Sequence, residues 1–405
     1  MAAIPADPAP LNAAVDVRWR LVDERQRHRD HGAAEREVSA RDQAGARCMT
    51  AAAVKPTRHA LVLTRCEPPM RTLSQRELNR ALLARQLLLE RGRMPLPKAL
   101  GRIGGIQAQY APSMYVGLWS RLEGFTRDKL TRALERRSVV QATLMRHTIH
   151  LVSRADYWPL ALAVRDARRA HWGTAMRDAP SPQAMTGAAR KLRRAMNGTI
   201  SRKEIEALLG RPRASGVGLW LDLVRVPPSG TWERRRADLY AAAEDWVGPP
   251  PDTGDAAEHV VRRYLSGFGP ASAKDVASFT GLPLSEVNAI LGRLELRRFE
   301  GGLVDLPRAP LPDPETPAPP RFLPTWDATL LVHARRTGVL PEEHRPKIFG
   351  IKTPHSFPTF LVDGQVAGTW RYEGGKIALT PFGRLDAADR RALREEADRL
   401  AELHS

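Results

Sequence analysis

Two neutral amides, two positions apart, have the spacing in this sequence that most suggests chemistry. Gln107 and Gln109 flank Ala108 and follow the pair Gly104 and Gly105. An amide does not titrate near pH 7, so it can hydrogen-bond and orient a water but cannot take a proton as a carboxylate can. Such a pair suits hydrolysis of a bond whose leaving group is already activated. On spacing alone, a turn or cap after two glycines is the more common interpretation.

The backbone around these amides decides whether they can act together. Residues two apart point to the same side of a strand, but they diverge by about 200° on a helix. A shared role therefore requires extended or irregular backbone at Gln107 and Gln109. The sequence predicts a helix from Pro97 through Ile103, which the following glycines end or bend.

The charge of the chain favours a nucleic-acid partner. The formal net charge is +18, and residues 1–69 hold 11 Lys and Arg against 9 Asp and Glu, so residues 70–405 carry +16. Binding to phosphates releases condensed counterions, which makes a basic folded body typical of a DNA-binding protein. A basic surface that only faces solvent is the alternative.

Cysteine usage and apolar runs indicate an intracellular protein. Only Cys48 and Cys66 occur, so neither a disulfide framework nor a cysteine-based zinc site is expected in the body of the chain. No apolar run approaches the roughly 20 residues that cross a bilayer, and the N-terminus does not resemble a signal peptide. We expect a cytoplasmic, nucleoid-associated protein without membrane contact.

The first 69 residues lack sustained periodicity and end in Cys66-Glu-Pro-Pro69. We expect residues 1–69 to be a disordered extension. Met70 directly precedes the first well-patterned segment, so the native start could lie there. A mass spectrum of the native protein beginning near Met70 would support this hypothesis, and one beginning at Met1 would contradict it.

Residues 70–200 have the element order of a winged helix with a helical connector. Ser74 and Glu77 form a capping box at the start of the first helix. Another helix follows Thr126, and residues 139–152 alternate like a hairpin with a turn near Arg146 and His147. Helix, helix, helix, hairpin is the order of a winged helix.

The same order recurs twice. In residues 201–254 another capping box begins at Ser201, the spacing of Val217, Trp220, Leu221 and Val224 is typical of a helix face, and a hairpin-like turn follows at residues 227–230. In residues 255–308 a helix capped by Ser272 ends at Gly281, a second starts at Ser285, and Glu300-Gly-Gly302 turns a hairpin. Three tandem units favour a DNA-facing scaffold, although winged helices also serve as protein-binding modules.

The C-terminal part is predicted to be a small sheet. Residues 309–321 form a proline-rich linker, and residues 322–385 contain three alternating strands joined by Asp363-Gly364 and Gly374-Gly375. A helix over residues 386–405 is expected to pack on this sheet. The predicted fold class is α+β, mainly α: three tandem winged-helix units, then a small antiparallel β-barrel or sheet and a C-terminal helix.

Four groups of residues resemble the winged-helix DNA glycosylases of the AlkZ/YcaQ (HTH_42) family. In chain order they are Gly104–Tyr110 with Gly117–Arg121, Met145–Leu151, Gly269–Ala271 with Asp275–Ala277, and Leu323–Asp327 with Gly368–Arg371. The resemblance runs from about Met70 to Leu385. The order of these motifs along the whole chain carries the resemblance, since no single motif is decisive.

The resemblance implies a monofunctional DNA glycosylase that needs no metal or cofactor and excises alkylated bases, especially N7-alkylpurines. Some members of the family also unhook interstrand cross-links. The family's catalytic pair is Gln, apolar residue, Gln in one branch and Gln, apolar residue, Asp in the other. Gln107 and Gln109 match the first branch, although Ala108 is smaller than the usual aliphatic residue. A cationic N7-alkylpurine suits such a pair, because the base leaves without an acid and the amides need only position a water.

Three further residues are candidates for supporting the site. His150 shares a hairpin face with Thr148 and could line the site with Arg146, although a surface or hydrogen-bonded histidine fits equally well. Asp327 is the carboxylate placed to support an oxocarbenium ion, while a structural cap is the more common role of such a residue. Trp232 and Trp370 are expected in the core.

Six basic residues are candidates for DNA phosphate contacts. Charge runs commonly just face solvent, so each is weak alone. They are Arg234, Arg235, Arg236, Lys274, Arg297 and Arg298.

The predicted partner is double-stranded DNA carrying alkylated bases, bound by a monomer. A non-catalytic winged-helix regulator is the main alternative, but it needs neither the glutamine pair nor a C-terminal sheet domain. A metal-dependent nuclease would need clustered acids, and His147 with His150 lacks acidic companions at useful spacing.

Overall fold

A computed structural model describes residues 70–176, 178–333, 338–350 and 355–405. This part of the chain is mainly helical with small antiparallel sheets, which confirms the predicted fold class. The extension predicted over residues 1–69 lies outside the described residues.

The helices follow the capping signals of the sequence closely. The capping box at Ser74 is formed and starts α1, and α2 ends at Gly104, whose φ of 77° is left-handed. Ser201 and Ser272 form the other two predicted capping boxes. The helices are α1 Gln75–Arg85, α2 Leu96–Ile103, α3 Ala111–Arg121, α4 Arg127–Glu135, α5 Arg154–Ala163, α6 Arg165–Ala175, α7 Pro182–Ala195, α8 Arg202–Leu209, α9 Arg211–Gly216, α10 Ala243–Val247, α11 Ala256–Phe268, α12 Ala273–Thr280, α13 Leu284–Arg293, α14 Arg345–Ile348 and α15 Ala387–His404.

A six-stranded antiparallel sheet lies at the centre of the N-terminal half. Its strands are β1 Ile106–Gln107, β2 Val139–Thr143, β3 Ile149–Ser153, β4 Thr199–Ser201, β5 Leu223–Arg225 and β6 Leu239–Ala242, in the order β1-β3-β2-β5-β6-β4. The pairing of β2 with β5 makes the hairpins of the first two predicted units continuous. The division into three winged-helix units, with its boundaries, stays a prediction.

The helix predicted from the spacing of residues 217–224 is wrong for the second half of this range. Residues 217–219 form one short 3-10 turn, and Val224 lies in β5, paired with Ala142 on one side and Ala241 on the other. Val224 is fully buried there. A β-branched residue between two strands is more stable in the sheet than on a short helix, so tertiary pairing overrides the local spacing.

Residues 255–308 have the predicted order of three helices and a hairpin. The hairpin strands are β7 Arg297–Phe299 and β8 Leu303–Asp305, joined by a 3-10 turn over Glu300–Gly302. Gly281 ends α12 at φ 82°, as predicted.

The C-terminal segment forms a four-stranded sheet in the order β14-β13-β12-β9, together with a separate two-stranded pair, β10-β11. Asp363 and Gly364 turn the first predicted hairpin, with φ values of 45° and 77°. The bounds are β9 Arg321–Leu323, β10 Phe349–Gly350, β11 His355–Ser356, β12 Thr359–Val362, β13 Gln365–Glu373 and β14 Lys376–Pro381. Asp386 caps α15, and Trp370 and Trp232 are buried as expected.

Two apolar clusters cover the two faces of the central sheet. Ile106, Val139 and Leu151 belong to the cluster that includes α2, α3 and α4. Val140 and Val152 belong to the other, with α5, α11 and α12. The sheet is therefore fixed from both sides, which holds its edge strand β1 in place.

A buried ion pair ties the first helix to the third hairpin. Both carboxylate oxygens of Asp305 accept from Arg85 at 2.8 Å, and neither side chain is exposed. We predict that Asp305→Ala lowers the free energy of unfolding by about 3–5 kcal/mol, because Arg85 is left buried without its partner.

Urea denaturation measures this change. Asp128→Ala, which breaks a pair with Arg132 in which both side chains are mostly exposed, is the matched control and should cost less than about 1 kcal/mol. Equal losses in the two variants would contradict the prediction.

Candidate active site

The two glycines before the glutamine pair are required by backbone and by space. Gly104 and Gly105 have φ values of 77° and 83°. A Cβ at Gly104 would lie 2.9 Å from the ring of Phe268, and one at Gly105 would lie 3.0 Å from Val152. Only glycine lets the chain leave α2 at this angle and enter β1 directly against the neighbouring elements.

Strand β1 places the glutamine pair on the edge of the sheet. Ile106 pairs with Leu151, and Gln107 pairs with His150. The N–H of Ala108 then donates to the carbonyl of Ile149 at 2.7 Å, so the pairing continues beyond the strand itself. The backbone is a strand at Gln107 and bends at Gln109, which fits the extended or irregular conformation that a shared role of the two amides requires.

The side chain of Gln109 provides the next acceptor in the hydrogen-bond ladder between this segment and β3. Its Oε1 accepts the N–H of Ile149 at 2.6 Å. A backbone N–H can only donate, so the oxygen of this amide is identified and the side chain cannot be flipped. Gln109 is half-buried, with its Nε2 directed away from this bond.

Gln107 is fixed by Arg146. Its Oε1 accepts from Nη2 of Arg146 at 2.5 Å, and only 4% of the residue is exposed. A guanidinium also only donates, so both glutamine amides have one defined orientation. Each oxygen keeps one lone pair, and neither Nε2 has a hydrogen bond to another described residue.

The turn that carries Arg146 is strained. Arg146 and His147 have φ values of 52° and 56°, a region that costs about 1–2 kcal/mol for each non-glycine residue. The guanidinium of Arg146 lies 5.0 Å from the ring centre of Phe279 on α12. Helix α12 thus supports the turn that orients Gln107.

His150 is a neutral, buried acceptor on the same face as Gln107. Its Nδ1 lies 3.1 Å from the carbonyl of Thr148, which assigns the proton to Nδ1 and leaves a lone pair on Nε2. This Nε2 has no hydrogen-bond partner among the described residues. Burial, with the charge of Arg146, lowers the pKa of His150 to about 3, so the ring is neutral at pH 7.

Asp327 has a structural position. Its oxygens lie 2.9 and 3.0 Å from the guanidinium of Arg121, and it caps the turn that begins at Ala328. Burial opposes ionisation, yet Arg121 and the hydrogen bonds keep the pKa of Asp327 below its usual value. Arg121 also donates to the carbonyl of Gly117 at 3.1 Å, and a Cβ at Gly117 would lie 3.5 Å from Ile106, so the ion pair sits on the Ile106 side of β1 and away from Gln107. This placement favours the structural alternative.

One of the predicted phosphate contacts lies beside the glutamine pair. Arg235 donates to the hydroxyl of Tyr110 at 2.9 Å, and its guanidinium lies 6.0 Å from the rings of Tyr110 and Trp232. Tyr110 directly follows Gln109 and is 44% exposed. Arg234 and Arg236 instead share Asp238, at 3.5 and 3.3 Å.

The other three candidates, two on the third hairpin and Lys274 on α12, also differ in their surroundings. Arg297 donates to Asp305 at 2.5 Å and to the carbonyl of Ala309, so it supports the Arg85 ion pair. Arg298 and Lys274 are exposed. Sequence reasoning missed Phe279, Tyr110 and a buried arginine on α6, Arg168, because their importance comes from tertiary neighbours.

Two cavities of the described part, of about 430 and 980 Å³, are lined by other residues than the glutamine pair. One of about 980 Å³ lies between α2 and α11, lined by residues that include Lys98, Arg102, Asp156 and Arg263. Gln107 instead lies on β1, an edge strand of the central sheet, and Gln109 follows directly after it. Among the described residues no group of three or more His, Cys, Asp and Glu side chains could hold a metal, and no helix could cross a membrane.

Comparison with known proteins identifies the family to which the chain belongs. The model of the AlkZ-like DNA glycosylase family matches residues 100–403, and the chain belongs to that family. Its structure is similar to that of Streptomyces sahachiroi DNA glycosylase AlkZ, with a TM-score of 0.66 at 20% identity, covering 82% of this chain and 97% of the other. Comparison with curated proteins gives no match. The protein is accordingly a DNA glycosylase, and DNA is its substrate.

The buried histidines predict a pH-dependent stability. Burial lowers the pKa values of His147 and His150 to about 3, against about 6.5 in the unfolded chain. The unfolded state therefore binds more protons below pH 6.5, and stability falls as the pH falls, by up to about 1.4 kcal/mol per pH unit for each residue.

Urea unfolding of the wild type and of His147→Gln between pH 7.5 and 5 tests this linkage. The variant should lose about 2 kcal/mol less than the wild type over this range, because one depressed pKa is removed. The measurement at pH 7.5 is the reference for both proteins, since His147 of the wild type is mostly neutral there in the folded and in the unfolded state. Identical pH slopes for the two proteins would contradict the assignment.

Proposed function

We propose that this glycosylase is monofunctional and hydrolyses the N-glycosidic bond of cationic N7-alkylpurines. The observation that carries the proposal is that the glutamine pair lacks a group that titrates near pH 7: it consists of two oriented amides beside an uncharged His150, with no carboxylate hydrogen-bonded to them among the described residues. Such a site can hold a water but cannot supply an acid to a departing base. The base must therefore arrive already charged.

The geometry supports a water held between the amides and His150. Its two protons are accepted by two of the three free lone pairs on the Oε1 atoms and on Nε2 of His150, one amide Nε2 donates to its oxygen, and the second lone pair of that oxygen faces C1′. The N7-alkylpurine leaves with the bonding electrons, and the positive charge moves to C1′ of the sugar. The water oxygen then bonds to C1′ and its proton becomes strongly acidic, so a weak acceptor is sufficient to remove it.

The edge position of the pair supports bulky substrates. Strand β1 is the outermost strand of its sheet, and the exposed ring of Tyr110 follows the pair. Neither of the two cavities described above encloses the pair, so we infer that no deep pocket limits the size of the alkyl group at such an edge. We therefore extend the proposed substrates to interstrand cross-links, from which the enzyme releases one strand. We propose that it acts as a monomer on the nucleoid.

Release of N7-methylguanine from duplex DNA in single turnovers tests the site. Gln107→Ala and Gln109→Ala should each slow release by about 10–100-fold, because the water is no longer oriented. DNA affinity should stay within a few fold. Gln365→Ala, an exposed glutamine on β13, is the matched control and should leave the rate unchanged.

Wild-type rates in both variants would remove Gln107 and Gln109 from the site. Operator-like binding of a specific sequence with no base release by the wild type would instead favour a regulator.

The charge of the substrate is the second test. N7-methylguanine should be released at least about 100-fold faster than the neutral lesion hypoxanthine, because the site offers no acid to a neutral base. Between pH 5.5 and 7 the rate on N7-methylguanine should stay flat, since the amides do not titrate and the pKa of His150 is about 3. A rate that rises with pH through 6.5 would indicate a base that titrates in this range and contradict the mechanism.

A further inference from the structure

Two buried arginines, Arg168 and Arg225, lie near the glutamine pair and have no role in the proposed positioning of the water. Arg168 on α6 is 7% exposed, and it makes no ion pair and no side-chain hydrogen bond with a described residue. Arg225 on β5 is 8% exposed, and its polar contact is with a neutral group, the hydroxyl of Thr143 at 3.0 Å. Two buried arginines without an acidic partner are unusual, because burial of an unpaired charge is costly.

The neighbourhood of Arg168 contains little negative charge. The pKa of Arg168 is lowered to about 10, chiefly by burial and also by Arg225 and Arg165, whereas Tyr157 and Asp222 act in the opposite direction. Asp222 is the one carboxylate among these neighbours, and it is bound by Arg165 at 2.7 Å. One acid thus faces three arginines, and two positive charges remain without a counter-ion.

This group lies beside the glutamine pair. Arg168 is close enough to His147 and His150 to lower the pKa of both. One turn further along α6, the ring of His171 lies 4.8 Å from that of His147. His147 belongs to the turn that carries Arg146, which holds Gln107. The buried Nε2 of His147 also has no partner among the described residues.

We infer that Arg168 and Arg225, with His147 at their side, bind one phosphodiester group of the DNA next to the damaged nucleotide. A phosphate supplies what the cluster lacks, since its oxygens accept several charge-assisted hydrogen bonds and its charge offsets the arginines. It also solves a problem of the reaction, because a cationic base and sugar beside Arg146 need a nearby anion. The inference rests on the proposed function, which brings damaged DNA to Gln107.

Arg168→Met separates this role from a structural one. Removal of an unpaired buried charge should raise the melting temperature of the free protein, while affinity for duplex DNA with N7-methylguanine falls about tenfold. The slope of log K against log salt should decrease by about one, the value of one lost phosphate contact. Arg168→Lys keeps the charge and should keep most of the slope.

Arg190→Met is the matched control, because it removes an exposed charge from α7. It should neither raise the melting temperature nor reproduce the loss of affinity. A lower melting temperature for Arg168→Met with an unchanged salt slope would mean that Arg168 serves the fold, and the inference would be wrong.

Neutral methylphosphonate groups placed one at a time around the lesion identify the bound phosphate. One position should weaken binding by the wild type about tenfold and have little further effect on Arg168→Met. Equal losses in the two proteins at every position would overturn the inference. Stabilisation of the wild type by inorganic phosphate without such a position would likewise overturn it, since the cluster would bind free anions only.

Base release measured in the same samples keeps this inference distinct from the proposed function. Release of N7-methylguanine without the methylphosphonate coupling would remove the phosphate site alone. Coupling without release would remove the proposed substrate chemistry and leave the phosphate site standing.

Discussion

The pairing of β1 with β3 is the interaction on which the candidate site depends. Two residues of strand, one further backbone bond at Ala108 and the amide of Gln109 form a continuous ladder along Ile149 and His150. An isolated strand of this length would not persist in water. It persists here because Gly104 and Gly105 bring it directly out of α2 and because both faces of the sheet are packed. The ladder thus fixes the backbone of both glutamines, and the hydrogen bonds from Arg146 and from the N–H of Ile149 orient their side chains.

The positive charges near the glutamine pair lower the stability of the free protein and favour the binding of an anion. Arg168 and Arg225 lie near the turn without an acidic partner, whereas the nearby Asp222 is bound by Arg165. The free protein bears the cost of this imbalance, as it does for the left-handed residues of the turn. DNA supplies the missing negative charge. Such a site is therefore most stable when its substrate is bound.

Local signals of the sequence predicted much of the fold and little of the charge network. Capping boxes at Ser74, Ser201 and Ser272, and the glycines at 104 and 281, depend on residues within one turn, and all of them are formed. Val224 depends on two strands distant in the sequence, and its spacing suggested a helix. Arg168 resembles any arginine of an amphipathic helix, since its isolation is a property of the fold and of no sequence pattern.

The ladder and the charges together explain why neutral amides suit these positions. A carboxylate at position 107 would form an ion pair with Arg146, and that pair would lower its pKa and weaken it as a base. It would also offset the charge that is proposed to attract the DNA phosphate. An amide accepts the same hydrogen bond from Arg146, remains uncharged, and leaves the arginines available. The positive surroundings would in turn repel a cationic substrate, so a flanking phosphate must enter with it. The neutral amides and the arginines without an acidic partner, Arg168 and Arg225, thus suit the same substrate. Its cationic base can leave without an acid, and its phosphate backbone offsets the positive charge of the arginines.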